Sequence, residues 1–369
     1  MFSEVRKNLG FGCMRLPMKG EEVDYDEFNK MIDTFIESGF NYFDTAHGYL
    51  NGKSETALHD CLVKRYPRDK YLLTNKLTEP YFNTEADVRT FFEKQLKICG
   101  VDYFDFYLMH AQSKDNFAKF KRCRAYEQAF ELKAEGKIKH VGISFHDTAE
   151  VLDEILSTYP QIEAVQIQLN YLDFDDPAVQ SRKCLEVCNK HDKPVIVMEP
   201  VKGGNLVKLP EGAKKYFEAL GKASPASYAI RFAAGCKDVF MVLSGMSDMQ
   251  QMNDNLSYMQ DFKPLDEREM RAVQNVCAVF KGMDLIACTA CRYCTEGCPK
   301  KISIPDLFAC MNSKNTHRDW NADYYYNQVY TKTGGKASEC IRCGKCEKSC
   351  PQHLPIRELL KDVAKEFEK

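Results

Sequence analysis

Along the first two-thirds of the chain, short apolar runs alternate with longer segments whose apolar residues recur every three or four positions. The runs LGFGCMRL, NYFDTA, YLLTNKL, FDFYLMH, KHVGISF, AVQIQLN, PVIVMEP and VFMVLSG are continuous and rich in β-branched and aromatic residues. That is the pattern of parallel strands buried on both faces. The intervening segments carry helix signals. TEADVRTFFEKQLKICG has Thr84 as cap and Gly100 as stop, and DPAVQSRKCLEVCNKHDKP has Pro177 in its first turn and Pro194 ahead of the next strand. Eight strand–helix units between Leu9 and Asp261 have the size and rhythm of an α/β (β/α)8 TIM barrel.

Past residue 280 the pattern changes. CTACRYCTEGCP (Cys288 to Pro299) is followed fifty-two residues later by CIRCGKCEKSCP (Cys340 to Pro351), each reading C-x2-C-x2-C-x3-C-P. Thiolates two residues apart can converge on one corner of a cubic cluster, whereas the fourth, after a longer gap, points elsewhere. Zinc is the alternative, since C-x2-C pairs also supply tetrahedral sites. Zinc ribbons, however, rarely use three cysteines at successive short gaps closed by x3-C-P, and here that happens twice. The run resembles that of bacterial ferredoxins, in which the fourth cysteine ligates the other cluster. The resemblance implies one [4Fe–4S] cluster on Cys288, Cys291, Cys294 and Cys350, and a second on Cys340, Cys343, Cys346 and Cys298.

Between the repeats, IPDLFACMN has helical spacing and DWNADYYYNQVY is an aromatic, helix-compatible stretch; IRELLKDVAKEF adds an amphipathic helix at the C-terminal end. The arrangement resembles the α-helical ferredoxin domains that accompany several redox enzymes. Trp320 and Tyr324–Tyr326 read first as packing around a cluster, with an electron path or partner face as the alternative. The expected division is therefore a barrel over residues 1–280 and a small, mainly α-helical ferredoxin-like domain over 281–369.

Composition narrows the partners. The 369 residues hold 51 Lys and Arg against 53 Asp and Glu, which gives no electrostatic ground for nucleic acid or an anionic membrane. No apolar run approaches the roughly 18 residues of a membrane span, and the opening MFSEVRKNLGFGC lacks a secretory pattern. The expectation is a cytoplasmic protein with reduced thiols. Of its 17 cysteines, those outside the two repeats read as small core residues.

Barrel chemistry sits at the C-terminal ends of the strands. Those ends supply Asp44 and Tyr49, Lys76, His110, Ser144, Gln166, Glu199 and the stretch Lys202–Gly204. NYFDTAHGY, LLTNKL and YLMH, with D-T-A-x-x-Y intact, resemble the catalytic segments of aldo-keto reductases, over roughly residues 5–275. The resemblance implies that Tyr49 is the general acid at a carbonyl oxygen. Lys76, backed by Asp44, would lower the tyrosine's pKa from its ordinary value near 10, and His110 would donate a hydrogen bond to the same oxygen. It further implies NADP or NAD, with Ser144 and Gln166 on the nicotinamide amide and the N–H groups around Gly203 and Gly204 facing the pyrophosphate. The last adenosine-binding loop, SGMSDMQQMNDNL, would bring Gln251, Asp254 and Asn255. Four positions depart from the family: Met198 stands where an aromatic residue often stacks on the nicotinamide, and Phe145 follows Ser144. Gly245 and Gln251 occupy positions where many members carry cations for the 2′-phosphate. The choice between NADP and NAD stays open, as does flavin, which no motif announces.

Three functions fit this chain. The first is an oxidoreductase interconverting a small-molecule carbonyl and alcohol, its clusters exchanging electrons with a ferredoxin-like redox partner or with a bound cofactor. The second is a plain nicotinamide-dependent reductase whose clusters are structural staples. The third is an electron carrier on a barrel without catalysis. EPYFNTE, AQSKDNF and LDFDDP, the candidate mouth loops, name no substrate.

Overall fold

The computed structural model describes residues 2–176, 179–221, 223–283, 285–317 and 321–368, and the chain divides into two compact units. In the first, eight parallel strands close into a barrel: β1 (Leu9–Gly12), β2 (Tyr42–Asp44), β3 (Leu72–Leu77), β4 (Phe104–Gln112), β5 (Ile138–Phe145), β6 (Ala164–Gln168), β7 (Val195–Met198) and β8 (Val239–Ser244). Each strand pairs with its sequence neighbours, and β1 closes the ring by pairing with both β2 and β8. Every expected strand is present, because each run was apolar on both faces and so had only a two-sided burial to satisfy. The ring is tight. A Cβ on Gly142 would meet the Ala164 carbonyl oxygen at 2.7 Å and the Leu108 side chain at 2.6 Å, so β5 takes no side chain there.

Helices fill the crossovers. Glu85–Cys99 starts at Thr84, whose side chain accepts from the Asp87 N–H while the Asp87 side chain returns the bond. It stops at Gly100 in a left-handed conformation (φ 69°). Such a cap is worth about 1 kcal/mol. The helix expected after Asp176 runs from Ser181 to Lys190, later than the sequence pattern suggests; Gln180, left-handed at φ 54°, forces the later start. Pro177 lies outside the described residues.

The second compact unit includes Val201–Pro225 and Asp266–Lys369. Helices Glu211–Glu218 and Glu267–Lys281 belong to it; a Cβ on Gly212 would touch the Val279 side chain at 3.6 Å. The cysteine repeat is also a repeat of backbone. Tyr293–Glu296 corresponds to Lys345–Lys348 as a one-turn helix, and Ile304–His317 corresponds to Ile356–Phe367. Left-handed residues recur in register: Ala290 with Arg342, Arg292 with Gly344, Lys301 with His353. The two halves share one core of Ile302, Ile304, Leu307 and Phe308 with Ile356, Leu360, Val363 and Phe367. Tyr326 is fully buried and stacks on Phe367 at 4.7 Å, while Tyr324 and Tyr325 are exposed. Trp320 lies outside the described residues.

The base of the barrel, at the N-terminal strand ends, is apolar and aromatic. Phe2 packs there on Phe106 and Phe240, both at 4.9 Å, and on His140 at 4.5 Å. Both His140 nitrogens meet carboxylates, Nε2 to Glu4 at 2.6 Å and Nδ1 to Glu163 at 3.1 Å, so the ring is held as imidazolium. Burial opposes that charge, but the two carboxylates outweigh it and raise the histidine above 6.5. Burial likewise pushes the Glu163 carboxyl up, yet hydrogen bonds from His140, Lys133 and the Val141 N–H bring it down to about 2. The Glu163 contribution is present above its ordinary 4.5 and is lost as pH falls toward about 2. The His140 contribution is complete below 6.5 and is lost as pH rises through its folded value. Glu163→Gln should therefore lower the melting temperature near neutral pH and flatten its acid decline. An unchanged acid limb in thermal melts would remove Glu163 from this account.

Candidate active site and metal centre

The barrel register sets the first cluster of functional groups. Asp44 ends β2 opposite Thr74, and Lys76 sits two residues further along β3, opposite Leu108 of β4. Across this register the Lys76 Nζ donates to Asp44 Oδ1 at 2.6 Å and to the Thr45 carbonyl at 2.9 Å. Both side chains are essentially buried. Burial pushes the Asp44 carboxyl up and the Lys76 ammonium down, and the contact between them opposes each shift. The ammonium lies 5.1 Å from the centroid of the Tyr49 ring, and that ring meets His110 edge-on at 6.2 Å. The structure thus brings Asp44, Tyr49, Lys76 and His110 together.

His110 is held neutral. Burial, then the Lys76 and His146 charges, lower it well below its ordinary range. Its Nδ1 contacts the Thr78 hydroxyl at 2.9 Å, whereas that hydroxyl is 3.4 Å from the Lys76 carbonyl. With Thr78 donating to Nδ1 the ring proton lies on Nε2; with Thr78 donating to the Lys76 carbonyl, Nδ1–H is the donor to Thr78.

A buried network that sequence reasoning missed fixes the Tyr49 loop. Leu50 and Asn51 are left-handed (φ 52° and 56°), an uncommon conformation for residues with side chains. The loop is tied on both sides of Tyr49. His47 Nδ1 meets Glu55 Oε2 at 2.5 Å, and Ser54 bonds Thr45 and the Cys13 carbonyl at 2.7 and 2.8 Å. Glu55, fully buried, accepts from Asn75 at 2.8 Å and Gln95 at 3.1 Å, and Gln95 also donates to the Lys76 carbonyl at 3.1 Å. The signal available in the sequence was a Ser-Glu pair shortly after D-T-A-x-x-Y, with Asn75 beside Lys76.

The expected nicotinamide contacts fall in two groups. Ser144 and Gln166 are register neighbours on β5 and β6, both buried. Ser144 Oγ and Gln166 Oε1 have no hydrogen-bond partner among the described residues. A buried donor beside a buried acceptor suits a carboxamide, so these residues fit a nicotinamide. Asn255 is already engaged, with Ser244 at 2.8 Å and Tyr258 at 2.5 Å. Gln251 bonds Ser247 and Asp248, at 3.0 and 2.8 Å; Asp254 lies on the same helix, Met249–Met259. Arg15, which the sequence did not mark, runs its stem against Gly245, with its Cβ 3.5 Å from where a Gly245 Cβ would sit. Met198 ends β7. Gly203 and Gly204 fall in the second unit, and the Gly204 N–H is bonded to the Val201 carbonyl at 3.0 Å.

In the second unit the eight motif cysteines form two groups. Cys294 has Cys291, Cys288 and Cys350 as electrostatic neighbours, which together with burial raise its thiol. Cys298, Cys340, Cys343 and Cys346 line one recess, with about 330 Å³ of non-atom space, floored by Ile302, Ile304 and Leu360. The ferredoxin resemblance implies the same two sets, although among the described residues no three such side chains lie close enough to hold a single metal ion. Backbone N–H groups turn toward sulfur, as thiolate ligands require. The Ala290 N–H is 3.4 Å from Cys288 Sγ. Burial raises the Cys350 thiol against the pull of N–H groups from Leu354, Gln352 and His353. Cys294 and Cys346 are buried, Cys343 is exposed and the other five motif cysteines are half-buried; all-thiolate donor sets of this spacing fit iron–sulfur clusters.

Comparison with known proteins agrees with both halves. Residues 8–278 match the Aldo/keto reductase family, and residues 287–354 match a 4Fe-4S dicluster domain. The chain belongs to the aldo/keto reductase family. It is an oxidoreductase of that family with an iron–sulfur domain at its C-terminal end. An uncharacterized oxidoreductase, YqkF, of Bacillus subtilis is 25% identical over 72% of this chain and 91% of its own length. The NADH-specific methylglyoxal reductase of Escherichia coli is 26% identical over 61% of this chain and 81% of its own. Among solved structures, an aldo-keto reductase of Klebsiella pneumoniae in complex with NADPH shares the fold at a TM-score of 0.59. Its identity is 19%, over 74% of this chain and 95% of that one. Among the described residues no helix is long and apolar enough to cross a membrane.

The ion pair predicts its own test. Lys76→Met strands the Asp44 carboxylate in the interior and should cost about 3–5 kcal/mol in denaturant unfolding, and adding Asp44→Leu should recover much of it. Equal stability of the single and double variants would show that Asp44 does not depend on Lys76 for its burial.

Proposed function

We propose that this chain interconverts a small-molecule carbonyl and its alcohol with a nicotinamide cofactor, and that two [4Fe–4S] clusters exchange single electrons with a ferredoxin-like partner or a bound cofactor. One observation carries the reading: a tyrosine, a buried Lys–Asp pair and a neutral histidine meet at the barrel mouth, and two adjoining strands of the same barrel carry buried polar atoms without a hydrogen-bond partner among the described residues. The nicotinamide, when bound, supplies two electrons as hydride to the carbonyl carbon. Tyr49 gives its hydroxyl proton to the carbonyl oxygen, so that hydride and proton together make the alcohol, and the phenolate is reprotonated from water. Lys76 offsets the phenolate charge, and Asp44 holds the lysine in place as an ammonium. His110, with Nδ1 occupied by Thr78, offers its Nε2–H to the same oxygen. Ser144 and Gln166 orient the carboxamide, and with it the face that delivers hydride.

Hydride carries two electrons and each cluster one, so the pair can hold the electrons of one turnover, but passing them to or from a nicotinamide requires a two-electron/one-electron converter such as a flavin. Cys288, Cys291, Cys294 and Cys350 hold the first cluster and Cys340, Cys343, Cys346 and Cys298 the second. The wide range of potentials open to such clusters, from about −700 to +450 mV, is set by their surroundings. In the adenosine-binding loop, Arg15 supplies the positive charge that Gly245 and Gln251 lack; Asp254 and Asn255 complete the loop.

With the anaerobically purified protein and small aldehydes, Tyr49→Phe should lower kcat by roughly 10²–10⁴-fold while nicotinamide affinity stays at the parental level. Turnover equal to the parent would sink the barrel chemistry. Arg15→Ala should raise KM for NADPH more than KM for NADH. Equal changes for the two cofactors would take Arg15 away from the 2′-phosphate.

A further inference from the structure

The stretch expected to face a pyrophosphate also meets the first cysteine loop. Lys202, Gly203 and Gly204 are consecutive left-handed residues, with φ 48°, 64° and 101°. The turn closes on itself, the Gly204 and Leu206 N–H groups both reaching the Val201 carbonyl. Its outer face is pressed against the first cysteine loop: a Cβ on Gly203 would sit 2.2 Å from the Thr289 carbonyl oxygen. Only glycine fits there, on grounds of both conformation and space. The next side chain, Asn205, donates to the carbonyl of Cys288 at 2.9 Å. Lys202, although charged, is 3% exposed, and its Nζ reaches Gln352 Oε1 at 3.5 Å. Gln352 is itself buried, two residues beyond Cys350, and its Nε2 has no hydrogen-bond partner among the described residues.

We propose that the Lys202–Asn205 turn is the outer shell of the cluster held by Cys288, Cys291, Cys294 and Cys350, and that its buried ammonium raises the reduction potential of that cluster alone. The inference rests on the two-cluster reading above. Asn205 fixes the peptide that carries Cys288. Lys202 acts through Gln352, aligning the carboxamide so that its Nε2 hydrogens are available to sulfur beside Cys350. A reduced cluster carries one more negative charge than an oxidised one. A cation held nearby out of water therefore favours the reduced form. The 52-residue repeat makes the asymmetry legible: the second cysteine group, built by the same backbone, lines a recess of Ile302, Ile304, Ile341 and Leu360 whose two lysines, Lys300 and Lys345, are solvent-exposed where Lys202 is buried. The turn thus makes one of two similar clusters the better electron acceptor.

The test is an EPR-monitored redox titration of the anaerobically purified full chain, preceded by iron and sulfide analysis. Lys202→Met should lower the reduced-to-oxidised ratio of one cluster about tenfold at a fixed potential, which is about 59 mV for one electron, with the other cluster unmoved. Lys202→Arg should keep the parental value. Asn205→Ala should alter the EPR signature of that same cluster. If the parent carries both clusters and Lys202→Met moves neither midpoint, or both equally, the inference is overturned and the two-cluster reading stands. A parent without iron and sulfide would remove that reading, and this inference with it. Should Lys202→Met fail to load iron, the decision passes to the other two variants: a parental midpoint in Lys202→Arg with an Asn205→Ala change confined to one cluster supports the inference, and any other combination overturns it.

Discussion

The buried contact between Lys76 and Asp44 is the constraint on which the barrel mouth depends. Neither charge could be held in the interior alone, because the cost of stripping water from an unpaired ion is several kcal/mol. Together they are tolerable only at the short distance and fixed angle that neighbouring strands impose. That requirement explains the density of polar groups behind them. Asn75, Gln95 and Glu55 bond one another and the Lys76 carbonyl, so that β3, the helix after it and the Tyr49 loop move as one piece. The left-handed residues beside Tyr49 are held against their own preference by the same bonds.

The second unit solves a different problem by duplication. A chain of short turns around cysteines has little apolar surface with which to fold, and each half supplies one amphipathic helix to cover it. Ile304 and Ile356 open those helices at equivalent places, and both helices feed one core. The left-handed positions recur at the same offset because two thiolates can face one metal centre across so short a gap only if the backbone reverses between them. Duplication alone would make two equal sites. A piece of chain from far upstream, the Lys202–Asn205 turn, lies against the first motif and reaches Gln352 just past the second.

Much of this was legible in the chain itself, and the reasons are local. The strands were readable because burial on both faces leaves an unbroken apolar run. Thr84 and Gly100 were readable because a cap and a stop act within four residues of their helix. The cysteine spacing was readable because a ligand set built from successive turns records its geometry in the gaps. Other features needed the fold. The meeting of Asp44 with Lys76 is set by strand register, as is the placing of Ser144 beside Gln166. Glu55, Thr78 and Arg15 were invisible as functional residues because each acts through a partner distant in sequence. The aromatic cluster likewise split, with Tyr326 in the core and Tyr324 and Tyr325 outside it.

The change of pattern past residue 280 marks the cut between barrel and cysteine-rich region, and the Gly203–Gly204 pair is a place where close packing adds to what the chain suggested. Glycine marks only that the backbone must turn left-handed or come close to something; it does not say to what. In this protein the sequence by itself determined the periodicity, the helix ends and the chemical inventory, since each follows from neighbours a few residues apart. Which atoms of that inventory face one another was decided by tertiary structure alone, because burial, register and charge pairing are settled between residues that the chain keeps far apart.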